Sequence, residues 1–201
     1  MRQVDRLFAT LVCRTALADD ALVADLAVAC RSIAADDEAG QAWSRAHAYQ
    51  GYTSYASLND LAWRMPAFAA LERALDPLVA AFARDLAFDL GRRRLRANAL
   101  WVNVLEPGGA HSGHIHPQSV ISGTVYIDVP PGASALRFED PRLAMMMHAP
   151  QRKQTARRDL KSFITVAPSA GDVVLWESWL RHEVTPNTAD RARISVSFNY
   201  A

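Results

Sequence analysis

The spacing of apolar residues divides the chain near Gly91. Before that point the period is helical. From Asp19 to Glu38, Leu22, Leu26, Ala29, Cys30 and Ile33 recur three and four residues apart behind an Asp19–Asp20 start, which predicts one amphipathic helix. Residues 50–60 are turn-rich and lack a period, so they read as an ordered loop. Pro66 then opens a second helix whose stripe is Phe68, Leu71, Leu75, Leu78, Phe82 and Leu86, with Pro77 expected to kink or split it.

After Gly91 the period drops to two. Leu95, Ala97, Ala99, Trp101 and Asn103 alternate with Arg94, Arg96, Asn98, Leu100 and Val102, and further strand-like runs occupy 120–129, 135–139, 162–166, 172–177 and 193–200. Short strands separated by turns such as Pro130, Pro131 and Gly132, or 168–171, predict an antiparallel sandwich or barrel of the jelly-roll kind. The fold class expected is therefore mainly β with N-terminal helices. One stretch breaks the pattern: 142–161, carrying Met145, Met146 and Met147 and then Arg152, Lys153, Arg157 and Arg158, is long enough to form a lid or flap.

Composition acts mainly by exclusion. Half of the 201 residues are hydrophobic, enough for one core that needs no staple, and 22 basic side chains nearly cancel 21 acidic ones. That balance gives no support to a polyanion-binding role, so no nucleic-acid partner is expected. Cys13 and Cys30 form no Cys-x-x-Cys pair and lie far from the C-terminal histidines, which argues against disulfides and a zinc ribbon. Asp5, Arg6 and Arg14 interrupt any signal-peptide core and no stretch is long enough to span a bilayer, so the expected location is cytoplasmic, with no membrane partner.

The chemistry concentrates in the second half. Five of six histidines follow residue 110, three of them within His111, His114 and His116. Residues two apart in an extended segment point to one side, so His114 and His116 can chelate one metal, while His111 need not take part. His182, after the strand-like 172–177 and an aromatic turn, is the best third ligand, and three ligands on one face leave positions open for substrate and dioxygen. The competing reading is loop histidines bonded to backbone or solvent. On the last strand Ile194, Val196 and Phe198 face one way, and Arg193, Ser195, Ser197 and Asn199 the other. Turned into a barrel, that second face makes a pocket in which the guanidinium requires an anion and suits a carboxylate; turned to water, it is an ordinary edge strand.

At these residues the sequence resembles a known family. The run from Pro168 through Gly171 to His182, followed by 183–187 and 193–199, is similar to the C-terminal signature of 2-oxoglutarate/iron(II) oxygenases. In that pattern a Gly precedes a hydrophobic strand, a ligand His follows, and an Arg-x-Ser strand holds the 2-oxoglutarate carboxylate. Residues 101–103, 114–126 and 139–142, and even 7–10, resemble a bacterial branch of that superfamily. The resemblance implies a single oxygenase domain over 1–201, with a helical N-terminal scaffold in 1–91 and a double-stranded β-helix core in 92–201. It also implies a dioxygenase that hydroxylates a small-molecule or amino-acid-like substrate with release of succinate and CO2. His114, His116 and His182 would bind Fe(II), Arg193 and Ser195 would bind 2-oxoglutarate, and Asn103, Thr124 and Tyr126 would be further polar contacts. A homodimer is compatible with it. One position departs from the pattern: His116 stands where most relatives carry Asp or Glu, which leaves the site one negative charge short and alters its redox balance. Two other readings compete: a cupin-like three-His metalloenzyme that does not use 2-oxoglutarate, and a non-enzymatic jelly-roll module that binds a small molecule.

Overall fold

The computed structural model describes residues 1–201. The helical half begins with α1 (Asp20–Asp36), whose first turn is capped by the Asp19 carboxylate accepting from the Leu22 amide at 2.9 Å. Asp37 ends α1 and at once caps α2 (Glu38–Ala46), accepting from the Gly40 amide at 3.0 Å. The second helix lies beyond the periodic stripe of the first and is not foreseen from spacing. A single turn, α3 (Leu61–Arg64), leads to α4 (Pro66–Asp85). Contrary to expectation, Pro77 does not split α4. It sits on the exposed face, so the carbonyl it leaves without a helical donor can bond water, while Phe68, Leu71, Leu75, Val79 and Phe82 hold the opposite face in the core.

Ten strands follow or interleave: β1 (Val12–Ala16), β2 (Gly51–Thr53), β3 (Ala97–Leu105), β4 (His111–His114), β5 (Ile121–Asp128), β6 (Leu136–Glu139), β7 (Phe163–Val166), β8 (Asp172–Glu177), β9 (His182–Val184) and β10 (Arg193–Tyr200). They form a six-stranded sheet ordered β1-β8-β5-β10-β3-β2 and a four-stranded sheet ordered β4-β9-β6-β7. Every pairing is antiparallel. The two facing sheets are a jelly roll, as the shift in periodicity predicts, and a double-stranded β-helix, as the resemblance implies. The edges of the larger sheet differ from expectation. β1 pairs with β8, and β2, inside the segment expected to be loop, pairs with β3. Both come from the N-terminal part of the chain and are too short to show a period.

Two cores result from the alternation. The larger joins the helices to one face of the six-stranded sheet through Leu26, Phe68 and Leu75 on one side and Val102, Val125, Leu175, Val196 and Phe198 on the other. Gly123 permits this close approach, because a Cβ there would lie 2.3 Å from the Phe198 ring. The smaller core lies between the sheets and consists of Tyr126, Leu136, Phe138, Val166, Val174, Trp176 and Leu180. It fills one end of the space between them and leaves a cavity at the other. Residues 142–161 form two exposed 3-10 turns, Leu143–Met145 and Arg158–Leu160, and none of them lines that cavity. They border instead a separate cleft with residues 4–14. No helix is long and apolar enough to cross a membrane.

Candidate active site

Three of the cavity's histidines converge at the ends of two neighbouring strands. His114 closes β4 and His182 opens β9, and the two are direct cross-strand partners. His116 lies two residues past β4, outside regular strand, where its amide donates to the Ser178 carbonyl at 3.0 Å. The spacing argument thus brings the right pair together by a different route: a turn pinned to the 178–181 loop, rather than continued extended chain. One nitrogen from each ring lies within 4.8 Å of the others, and the Nε2 atoms of His116 and His182 are 3.2 Å apart. Cis ligands with bonds of about 2.1 Å stand about 3 Å apart, so this donor set fits a single divalent transition metal.

The outer ring nitrogens show how each imidazole is aimed. His114 Nδ1 lies 2.7 Å from the Ser112 carbonyl and His182 Nδ1 2.9 Å from the Leu180 carbonyl. A carbonyl only accepts, so both rings carry their proton on Nδ1 and turn the Nε2 lone pair toward the site. Asn199 Nδ2 lies 3.4 Å from His116 Nδ1 while its Oδ1 accepts from the Ser122 hydroxyl at 2.8 Å, and exchanging the two ends of the amide would let Oδ1 accept from a protonated Nδ1 instead. An amide can present either its oxygen or its nitrogen, so Asn199 governs the tautomer of His116. Burial, with mutual repulsion behind it, pushes His182 down to about 3 and His116 to about 4. Burial also lowers His114. All three are neutral at ordinary pH, the state in which imidazole ligates a metal.

The other end of the cavity is built by β10 between β3 and β5. Register places Ser195 beside Asn103 and Tyr126, and Ser197 beside Trp101 and Thr124. Asn103 accepts from Thr53 at 3.0 Å and donates to Ser197 at 3.1 Å, and Ser197 also meets Thr124 at 3.1 Å. Above this polar floor stands Arg193, 3% exposed and without any acidic partner. Its Nη atoms donate to the Ser134 carbonyl at 3.2 Å and, weakly, to the Ser195 hydroxyl at 3.4 Å, and its Nε has no partner. The guanidinium lies 5.4 Å from the Tyr126 ring centroid, and burial pulls its pKa down. Of the two readings left open by the strand pattern, the inward one holds: the Arg/Ser face lines the cavity together with the histidines.

Every site residue singled out in the sequence lines this one cavity: His114, His116, His182, Arg193, Ser195, Asn103, Thr124 and Tyr126. Three further lining residues, and Ser134 behind them, escape sequence reasoning. His111 stacks on His114 with centroids 4.6 Å apart and meets Tyr49 edge-on at 5.7 Å. Tyr49 reaches Asn103 at 3.4 Å from the connection before β2, and burial pushes its hydroxyl up to about 12. Trp176 contributes a buried indole N–H with no partner; Ser134, whose carbonyl accepts from Arg193, has a buried hydroxyl without a partner but lies outside the cavity's lining. Of these only His111 carries a signal in the sequence, as a histidine three residues before a ligand candidate, and strand spacing gives no reason for it to join the pair. A register irregularity between His111 and His114 brings it round.

Comparisons with known proteins agree with this geometry. No curated protein sequence matches the chain. Among solved structures, a Pseudomonas putida prolyl-4-hydroxylase superimposes with a TM-score of 0.62 at 21% identity, covering 96% of this chain and 94% of that one. The epimerase SnoN, in complex with Fe3+, alpha ketoglutarate and nogalamycin RO, gives 0.64 at 18% identity over 95% of this chain and 78% of its own. HygX from Streptomyces hygroscopicus, with nickel and 2-oxoglutarate bound, gives 0.59 at 14% identity over 96% and 82%. At these identities the likeness is one of fold. A family model described as "Putative 2OG-Fe(II) oxygenase" matches residues 99–199, half of the chain and the half that holds all four cavity histidines and Arg193, and the chain belongs to that family of iron(II)- and 2-oxoglutarate-dependent oxygenases.

Proposed function

We propose that the chain hydroxylates a small-molecule substrate with release of succinate and CO2, holding iron(II) through His114, His116 and His182 and the distal carboxylate of 2-oxoglutarate through Arg193 and Ser195. The observation that carries this reading is Arg193: a buried guanidinium with an unpartnered Nε, in the same cavity as three convergent imidazoles. An unpaired charge held away from water is costly, and a planar fork with free N–H groups matches a carboxylate two-pronged. A cupin-like three-His enzyme has no use for this arginine. The iron, when bound with the keto-acid, supplies the oxidising chemistry.

The protein's own part is orientation and exclusion of water. The Ser112 and Leu180 carbonyls lock two imidazoles with their lone pairs inward, and Asn199 sets the third. Arg193 and Ser195 mark the far end, where the keto-acid's remote carboxylate docks. Asn103, Thr124 and Ser197 form a polar floor already bonded within itself, which fixes its shape before any ligand arrives. Phe138, Trp176 and Leu136 wall off the other side. The test is 2-oxoglutarate affinity by anaerobic calorimetry on iron-loaded protein. Arg193→Met should weaken it by about 100-fold or more while iron affinity stays within a few-fold, since ~3 kcal/mol is typical for truncating one partner of a buried charge pair. Unchanged 2-oxoglutarate affinity in that variant would overturn the reading.

A further inference from the structure

We infer that the site takes a second anionic ligand, a monoanion bound beside the keto-acid and supplied by a carboxylate-type group of the substrate or by a small inorganic anion. The inference rests on the proposed function and follows from the charges around the cavity. No aspartate or glutamate lines it. Three acids on the strands around it are engaged by arginines: Glu139 with Arg181 at 3.1 Å, Asp172 with Arg14 at 3.9 Å, and Glu183 with Arg137. Within the cavity the protein contributes one positive charge, Arg193, and ligating imidazoles contribute none.

A divalent metal adds two positive charges and 2-oxoglutarate brings two negative ones. With a carboxylate in the metal triad the site would be neutral. With His116 in that place one positive charge remains, enclosed by the smaller core and by the walls of the sheets. Residual charge in a low-dielectric enclosure attracts a counter-ion strongly. The structure also holds donors to receive one. The Trp176 indole, 2% exposed, has no partner for its Nε1–H and packs on His182 with centroids 4.6 Å apart. The His111 ring has no hydrogen-bond partner and stacks on His114. Both flank the metal triad, and neither is among the Arg193 and Ser195 donors assigned to the keto-acid. Tyr55, exposed, packs on the buried Trp101 at 5.2 Å, and Trp101 lies beside His116 at 5.7 Å, so aromatic surface adjoins the triad for the body of a substrate carrying that acid.

The experiment uses the full-length protein loaded with cobalt(II), whose visible spectrum reports its ligands without turnover. 2-Oxoglutarate is titrated first, then azide as the probe monoanion, in wild type, His116→Asn and His116→Asp. The two variants share a shape and differ by one charge. The expected result is saturable azide binding to the keto-acid complex of wild type and His116→Asn, weaker by at least tenfold in His116→Asp. In wild type alone, phenylacetate and phenylacetamide then compete against azide, a comparison that survives any misfolding of the variants. Phenylacetate displacing azide at least tenfold better than the amide assigns the site to a carboxylate-bearing substrate. Azide binding with phenylacetate excluded assigns it to a small inorganic anion. Failure of 2-oxoglutarate to bind would overturn the keto-acid reading and this inference with it. Normal 2-oxoglutarate binding with no azide response, or equal azide affinity in the Asn and Asp variants, would overturn this inference alone.

Discussion

The two faces of β10 are equally withdrawn from water and differ in almost everything else. Ile194, Val196 and Phe198 enter the larger core, where each meets other apolar side chains from helix and sheet. Arg193 and Ser195, one residue out of step, are buried too, but they face a cavity. The first face satisfies itself, because dispersion and dehydration need nothing from outside. The second leaves Arg193 Nε and the nearby Ser134 hydroxyl without partners. Burial alone therefore does not separate scaffold from site. The separating feature is whether the buried groups find their partners within the chain, and the face that does not is the one built for a ligand.

The sharpest way to test this contrast is to cut each face once. Phe198→Ala should lower unfolding free energy by about 3–5 kcal/mol, through lost burial and the cavity left behind. Arg193→Met should leave stability equal to or above that of wild type, since it removes a buried charge without a partner and keeps the bulk. Urea denaturation of the two variants, without metal or keto-acid, measures both. A collapse of the Arg193 variant would mean that the guanidinium is structural and the contrast fails. A smaller effect is expected where the polar face touches the three convergent histidines. Asn199→Ala should weaken divalent metal binding by about 10- to 100-fold, the range for loss of a group that orients a ligating histidine, and Asn199→Asp should restore it because a carboxylate can only accept from His116 Nδ1. Competition for zinc with a coloured chelator reads this without any catalysis.

The least of these effects is a slope with pH. His182 is pushed down to about 3 in the folded protein, against an ordinary value of ~6.5 in the unfolded chain. Between those values the unfolded chain binds a proton that the folded one does not, so stability is fully present above pH ~6.5 and is lost as pH falls. For this one imidazole the loss is ~1.4 kcal/mol per pH unit. The metal-free His182→Gln variant should show a shallower decline by about that amount between pH 6 and pH 4 in denaturant titrations. Identical slopes would show that His182 is not held neutral by its surroundings. The unperturbed value would place the loss of metal affinity below about pH 6; burial moves it lower.

Much of this architecture is legible in the chain because its signals are local. The helices α1 and α4 carry long apolar stripes, and β5, β8 and β10 carry clean alternation, so their positions follow from spacing. The elements that escape are those with too few residues for a period: β2 and β9 have three each and β4 has four, and all are strands only because a neighbour pairs with them. His114, His116, His182 and Arg193 stand out by residue type and by place in a motif, and their convergence into one cavity agrees with that. Tyr49, Ser134 and Trp176 do not stand out, since nothing about a tyrosine, a serine or a core tryptophan marks it until its partners, or their absence, can be counted.

The sequence by itself determined the two-part layout, the antiparallel second half and the three candidate imidazoles. These are written in period, residue type and short-range order, which need no third dimension. Tertiary structure alone decided that the polar face of β10 turns inward, that His116 reaches the triad from a turn held by Ser178, and that His111 joins the cavity. It also decided that no acid enters the cavity. Each of these depends on which strands lie opposite one another, a property set by long-range pairing and packing that no window of sequence contains.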